Sequence, residues 1–271
     1  MRYIRSPWWD GLFIFSGLPI GLALAFLYAM RRYDLLLAFL SVGIVLDTAH
    51  ILSPLLLVGA HRSLREKALA EPVRFILVPV ALIVGSAAGL KYVGSFGYLV
   101  VASWNGWHFC SQNFGVVQIY RRLWNWPGRR WLDRLMCFAM TGAFMFPPFT
   151  LALAILHIPY PQWWVPIARA PFDMPMIASY VFVVGMINFN HWLVALGLTT
   201  KVAQMPWWMW LGLLGLLGTS GFLWSVPKIN SIAYAGVPSL IDFRMGLGLA
   251  HFWLDGLIWK RNSPAMKVVL A

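Results

Sequence analysis

The stretch LLLAFLSVGIVLDTAHILSPLLLV, residues 35–58, is apolar apart from Ser41, Asp47, Thr48, His50 and Ser53. Wound as an α-helix it is roughly 36 Å long, more than the ~30 Å hydrocarbon core of a bilayer. It reads as a membrane-spanning helix. A carboxylate and an imidazole three residues apart inside such a helix are costly in hydrocarbon unless something binds them. Similar runs follow one another from Ser16 to Lys260, and we delimit eight: 11–30, 35–58, 73–90, 93–119, 135–157, 175–199, 207–225 and 243–259. Composition agrees. Hydrophobic residues make up 60% of the chain and charged residues 11%, and mean hydropathy is +0.70. A soluble domain is nearer half apolar and a quarter charged. The sequence predicts an all-α, polytopic membrane helix bundle of about eight transmembrane helices. No polar stretch is long enough for a second domain, so residues 1–271 are expected to form a single integral-membrane domain.

The net charge of +12 does not point to nucleic acid, because no folded polar module exists to present it. The basic residues cluster in short loops beside the spans, with tryptophans nearby, as expected for anchoring to lipid headgroups. Counted on alternate sides of the eight spans, lysine and arginine divide 15 to 6. The richer side holds Arg2 and Arg5, Arg62–Arg74, Arg121–Arg134, Lys201 and Lys260–Lys267. The positive-inside rule places that side, and both termini, in the cytoplasm. The expected location is the inner (plasma) membrane of a bacterium. The N-terminus lacks an A-x-A cleavage site and reads as leading into a retained first span. Residues 157–166, HIPYPQWWVP, read as an interfacial loop, with Trp207, Trp208 and Trp210 as a second aromatic belt. Gly17, Gly21 and the Gly212/Gly215/Gly218 series suit close helix packing. Cys110 and Cys137, both in apolar helices, form no disulfide framework and no C-x-x-C site.

Four of the six histidines, His50, His108, His191 and His251, lie in spans two, four, six and eight. These spans all run in the same direction. Each histidine precedes the cytoplasmic end of its span by eight to eleven residues, roughly 12–17 Å. One histidine per parallel helix at one depth can converge on a single point. Each also has polar neighbours at helical spacing: Asp47 for His50, Asn105 and Gln112 for His108, Asn188 for His191, and Asp255 for His251. A metal-bound imidazole donates its other N–H to a carboxylate or carbonyl, so Asp47 and Asp255 can orient ligands or ligate directly. Gln112 can orient a ligand or a bound water. A lone intramembrane histidine is most simply a hydrogen-bonded bridge between helices; four at one depth favour a metal or cofactor site. An imidazole set suits iron, copper or zinc rather than magnesium or calcium. His61 reads as a loop residue and His157 as an interface residue, and neither is assigned to the site.

The boxes H-x-x-x-H and H-x-x-H-H are absent. A bis-histidine haem would leave two of the four histidines unexplained, whereas non-haem iron uses all four. With no hydrophilic domain, the substrate is expected to enter from the bilayer and to be lipophilic, and dioxygen to be the co-substrate. Trp104, Trp107, Trp192 and Trp253 are candidates to line its path, against ordinary membrane packing. Ser53-Pro54 is expected to kink the end of span two. Ser111 lacks a nucleophile-elbow motif.

Three short motifs carry a family resemblance. Gly17-Leu-Pro-Ile-Gly21 is similar to a first-span Gly-Leu-Pro-His-Gly motif, His108-Phe109 to a His-Phe-Gly motif, and His251-Phe-Trp-Leu-Asp255 to a terminal His-x-x-x-Asp pattern. Together they resemble the Brp/Blh family of integral-membrane β-carotene dioxygenases. The resemblance implies an iron centre and oxidative cleavage of a polyene. Ile20 stands where the family has a histidine, which leaves His50, with Asp47, as the natural replacement ligand. Gln112 and Asn113 stand near an expected acidic residue.

The leading expectation is an integral-membrane non-haem iron oxygenase acting on a carotenoid, another isoprenoid or a similar lipophile. His50, His108, His191 and His251 would hold the metal, with Asp47, Asp255 and Gln112 supporting catalysis. The alternatives are a haem-binding electron-transfer subunit and a transporter using the histidines as a relay. Few intramembrane acids and no visible repeat weigh against the transporter.

Overall fold

Capping chemistry sets the first helix. Ser6 is extended, its Oγ accepts the Trp9 N–H, and Pro7 occupies the first helical position of α1 (Pro7–Phe13), where its missing N–H is one of the helix's unpaired donors anyway. Helix α2 (Gly17–Ala29) follows after a short break, with Pro19 in its first turn, and the two helices are bent by 47°. The run expected as one span at 11–30 is therefore a bent pair.

The computed structural model describes residues 2–93, 95–155, 181–182, 184–224, 240–260 and 262–271, all helical or connecting, with no strand among them. The further helices are α3 (Tyr33–Ala60), α4 (Arg62–Ala70), α5 (Val78–Val93), α6 (Ser95–Leu123) and α7 (Arg130–Ile155). After them come α8 (Asn190–Val202), α9 (Trp207–Trp224), α10 (Leu240–Ile258) and α11 (Pro264–Leu270). Two π-helical segments, Val73–Leu77 and Val184–Phe189, lead into α5 and α8. Among the described residues two helices are long and apolar enough to cross a membrane, Tyr33–Ala60 and Val73–Leu90. The bent α1–α2 pair makes a third if it counts as one span. Helix α6 matches the fourth expected run in length, but Asn105, Gln112 and Asn113 dilute its apolar character. The first part of the expected span 175–199, the expected loop 157–166 and His157 lie outside the described residues.

The chain divides into two compact units, residues 1–40 with 102–194, and 41–101 with 195–271. In the first, the N-terminus folds back on α6. The buried Asp10 carboxylate accepts the N–H groups of Ile4 (2.8 Å) and Arg5 (3.2 Å) and the Tyr120 hydroxyl. The turn after α6 places Asn125 in the left-handed region (φ 49°), which asparagine tolerates. Arg121 and Gln118 then grip Asp133 of α7 at 2.7 and 3.1 Å. Helix α2 lies against the π segment at glycine contacts. A Cβ on Gly17 would fall 2.5 Å from the Met186 carbonyl, and one on Gly185 would fall 2.6 Å from Gly21 Cα.

In the second unit α10 packs on α5. A Cβ on Gly246 would fall 2.7 Å from Ile83 Cα. Gly218 of α9 approaches the Val45 carbonyl in the same way, while Gly212 and Gly215 face open space. Of that glycine series only Gly218 serves close packing. The fully buried Trp210 donates its indole N–H to Thr199 (3.2 Å), fixing the α8–α9 corner. Lys201 holds the carbonyl of Val269 in α11 at 3.0 Å.

Candidate metal centre

In the second unit, α3 and α10 bring His50 and His251 together. Both are buried, and their ring centroids are 4.1 Å apart with planes at 75°. The helix continues through Ser53-Pro54, where a kink was expected near its end. Proline 54 lacks the N–H that would bond the carbonyl four residues back, which is that of His50. The Ser53 hydroxyl donates to that carbonyl at 2.8 Å. The Ser-Pro pair thus relieves a backbone group of a candidate ligand that would otherwise be orphaned in an apolar setting.

The two carboxylates assigned to this pair differ in placement. Asp255 Oδ2 lies 3.5 Å from His251 Nε2, the outer limit of a hydrogen bond, and Oδ1 accepts the Trp259 indole N–H at 3.0 Å. It is positioned to orient His251. Asp47, three residues before His50, forms an ion pair with Arg244 of α10. This pairing joins residues 197 apart in the chain, a contact that local spacing does not reveal.

In the first unit, α6 and α8 bring His108 and His191 together, with ring centroids 4.9 Å apart and planes at 87°. Phe109 lies over the His191 ring at 3.9 Å, tilted by 30°. The π segment Val184–Phe189 ends one residue before Asn190-His191; the extra residue in such a turn re-aims the side chains that follow, and π turns recur at functional sites. Gln112, expected to assist His108, instead reaches across and donates Nε2–H to the His191 carbonyl at 2.9 Å. Its Oε1 and the Oδ1 of Asn188 are buried acceptors with no donor among the described residues. Asn190 looks the other way. Its Oδ1 accepts the Gly17 N–H at 3.1 Å, fastening α8 to α2.

His50, His108, His191 and His251 are all buried, the first and last paired in one unit and the other two in the other. These four histidines could hold a metal ion. Asp47 and Asp255 are not part of this set. His61 is buried at the start of α4 and is not among these four.

The four tryptophans named as candidates to line a substrate path differ in their surroundings. Trp104 and Trp107 are exposed, and Trp107 meets Phe138 edge-on at 4.8 Å. Trp192 is buried against Phe189, and Trp253 donates its indole N–H to the Arg74 carbonyl at 2.8 Å. None of the four lines the cavity of about 300 Å³ that opens in the first unit between α2, α6, α7 and the π segment. Comparison with protein-family profiles, with curated proteins and with solved structures gave no match to this chain.

Proposed function

We propose that the protein is a membrane metalloenzyme in which His50, His108, His191 and His251 ligate one transition-metal ion, and that its reaction is oxygenation of a lipophilic substrate. The observation that carries this reading is the four buried imidazoles, meeting in pairs as His50–His251 and His108–His191. An all-imidazole set suits iron, copper or zinc. Non-haem iron is favoured by the lipophilic setting and by the resemblance to the Brp/Blh dioxygenases, which extends the reading to carotenoids and other isoprenoids. Haem fits less well, because a bis-histidine haem would leave two of the four histidines unused.

Activation of dioxygen is the chemistry that bound iron supplies. The chain's own residues set the conditions for it. Asp255 would orient His251 through Nε2, leaving Nδ1 available to hold the metal. Gln112 fixes the backbone at His191, and Phe109 covers one face of its ring and keeps water away. The same reading takes the chain as a bundle of about eight spans with both termini in the cytoplasm of a bacterial inner membrane, receiving substrate from the lipid.

Metal analysis of the purified protein beside single His→Ala variants tests it. The expected result is near-stoichiometric iron in the wild type and its loss in each variant. Unchanged metal content in all four variants would overturn the site, and a Soret band would replace non-haem iron with haem.

A further inference from the structure

The cavity of the first unit has a polar floor and an apolar mouth. Phe15, Leu18 and Met140 at its edge are exposed, although an aqueous surface would disfavour all three. Deeper in stand Asn113, Thr141 and Asn190, half-buried or buried. Asn113 Nδ2 donates to the Thr141 hydroxyl oxygen at 3.0 Å, which leaves that hydroxyl its own proton to donate. At Asn190 the orientation is set by a neighbour. The Gly17 N–H can only donate, so Asn190 Oδ1 faces it and the amide NH2 is turned elsewhere. The floor therefore offers both donors and an acceptor. No lining residue is charged.

We propose that this cavity binds one end of a neutral lipophile that carries a hydroxyl or carbonyl group, entering from the bilayer. Three features select that chemistry. The exposed apolar mouth admits a hydrocarbon body. The Asn113–Thr141–Asn190 floor loses its hydrogen bonds to water unless the ligand replaces them, which discriminates against a plain hydrocarbon. The absence of any cation on the lining discriminates against a carboxylate or phosphate. The volume, at the small end of ligand pockets, suits a single head with the remainder of the molecule lying along the helices.

The cavity is also coupled to the histidines within the same unit. Ile187 on its wall belongs to a buried cluster with Phe109, and Phe109 lies on the His191 ring. Assignment of the cavity as the substrate's head-group site rests on the metalloenzyme reading; its binding of a neutral polar lipophile does not.

Photolabelling in phosphatidylcholine nanodiscs tests the proposal, using three diazirine probes of equal chain length ending in a hydroxyl, a carboxylate or a methyl group. The hydroxyl probe is expected to label Met140 or the Met186–Ile187 segment saturably and to be displaced by dodecan-1-ol. Thr141→Val should weaken it about tenfold. Leu18→Trp, on the exposed rim and so tolerated by the fold, should block it. Equal labelling by all three probes, or labelling unchanged in both variants, would overturn the proposal. His251→Ala separates the two readings, since it should remove the metal through a residue that belongs to the other unit and does not line the cavity. Labelling that persists in a protein without metal upholds the cavity even if the wild type also proves metal-free, in which case only the substrate role falls.

Discussion

Asp255→Asn distinguishes a carboxylate that orients a metal ligand from one that merely fills space. The amide has nearly the same shape, and the neighbouring contact fixes its orientation. The Trp259 indole N–H, 3.0 Å from Oδ1, can only donate, so the amide oxygen stays there and the NH2 takes the place of Oδ2, 3.5 Å from His251 Nε2. A neutral imidazole has one donor nitrogen and one acceptor. With Nε2–H facing the carboxylate, as the 3.5 Å separation allows, Nδ1 would keep the lone pair that can ligate. Facing an NH2 group, the ring is stabilised in the other tautomer, with the proton on Nδ1 and the ligating lone pair lost. Removing such an orienting partner typically lowers metal affinity 10- to 100-fold, about 1.4–2.7 kcal/mol. The assay is a competitive chelator titration of purified protein with Fe(II) or Zn(II), alongside thermal unfolding of the metal-free form. We expect the affinity to fall by that factor while the metal-free melting midpoint stays near the wild type. An affinity within twofold of the wild type would refute the role, and an equal loss of metal-free stability would make Asp255 a packing residue.

Three further outcomes follow from the packing. Gly246→Ala drives a methyl group to 2.7 Å from Ile83 Cα and 2.8 Å from its carbonyl oxygen, backbone atoms that cannot swing aside. It should cost about 1–3 kcal/mol in thermal unfolding, whereas Gly215→Ala, with nothing within 4 Å, should gain up to about 1 kcal/mol of helix propensity; equal shifts would contradict the close α5–α10 contact. Arg244→Met strands the Asp47 charge, which is about a quarter exposed, so the loss should be about 1–3 kcal/mol after allowing for solvent screening. The double variant with Asp47→Asn should recover part of it, and strict additivity would show that the pair is not coupled. His61, between α3 and α4, has its pKa pushed below the usual 6.5 by burial, an effect partly offset by a backbone hydrogen bond. The folded state therefore holds this ring neutral while the unfolded state takes up a proton more readily. Its contribution to stability is present above about pH 6.5 and is lost as the pH falls below that. His61→Gln should flatten this acid-side decline in melting midpoint, and an unchanged slope would assign it to other groups.

Residue spacing along a helix tells height and face, and these were the features legible in the sequence. Counting at 1.5 Å per residue gives matching heights to His50 and His251 and to His108 and His191, and each of these two pairs meets ring to ring. Spacing does not tell which foreign side chain meets that face. Asp47 lies three residues before His50, but its carboxylate pairs with Arg244, 197 residues away. Gln112 follows His108 by four, yet it bonds the carbonyl of His191, 79 residues away. Both were assigned to the nearest histidine on their own helix because local periodicity offers no other candidate. The break after α1 was hidden for a different reason. Ile14, Phe15 and Ser16 are apolar or small enough to continue a span, and Pro19 is compatible with a helix start as well as with a kink. Most instructive is Ser53-Pro54. Read as residues, the pair signals a bend; read as hydrogen bonds, it signals a transfer of donors. The proline withdraws one N–H from the His50 carbonyl and the serine hydroxyl supplies another. The helix that holds a candidate ligand can therefore run on through a proline, because the backbone group that proline would leave bare is satisfied one residue earlier.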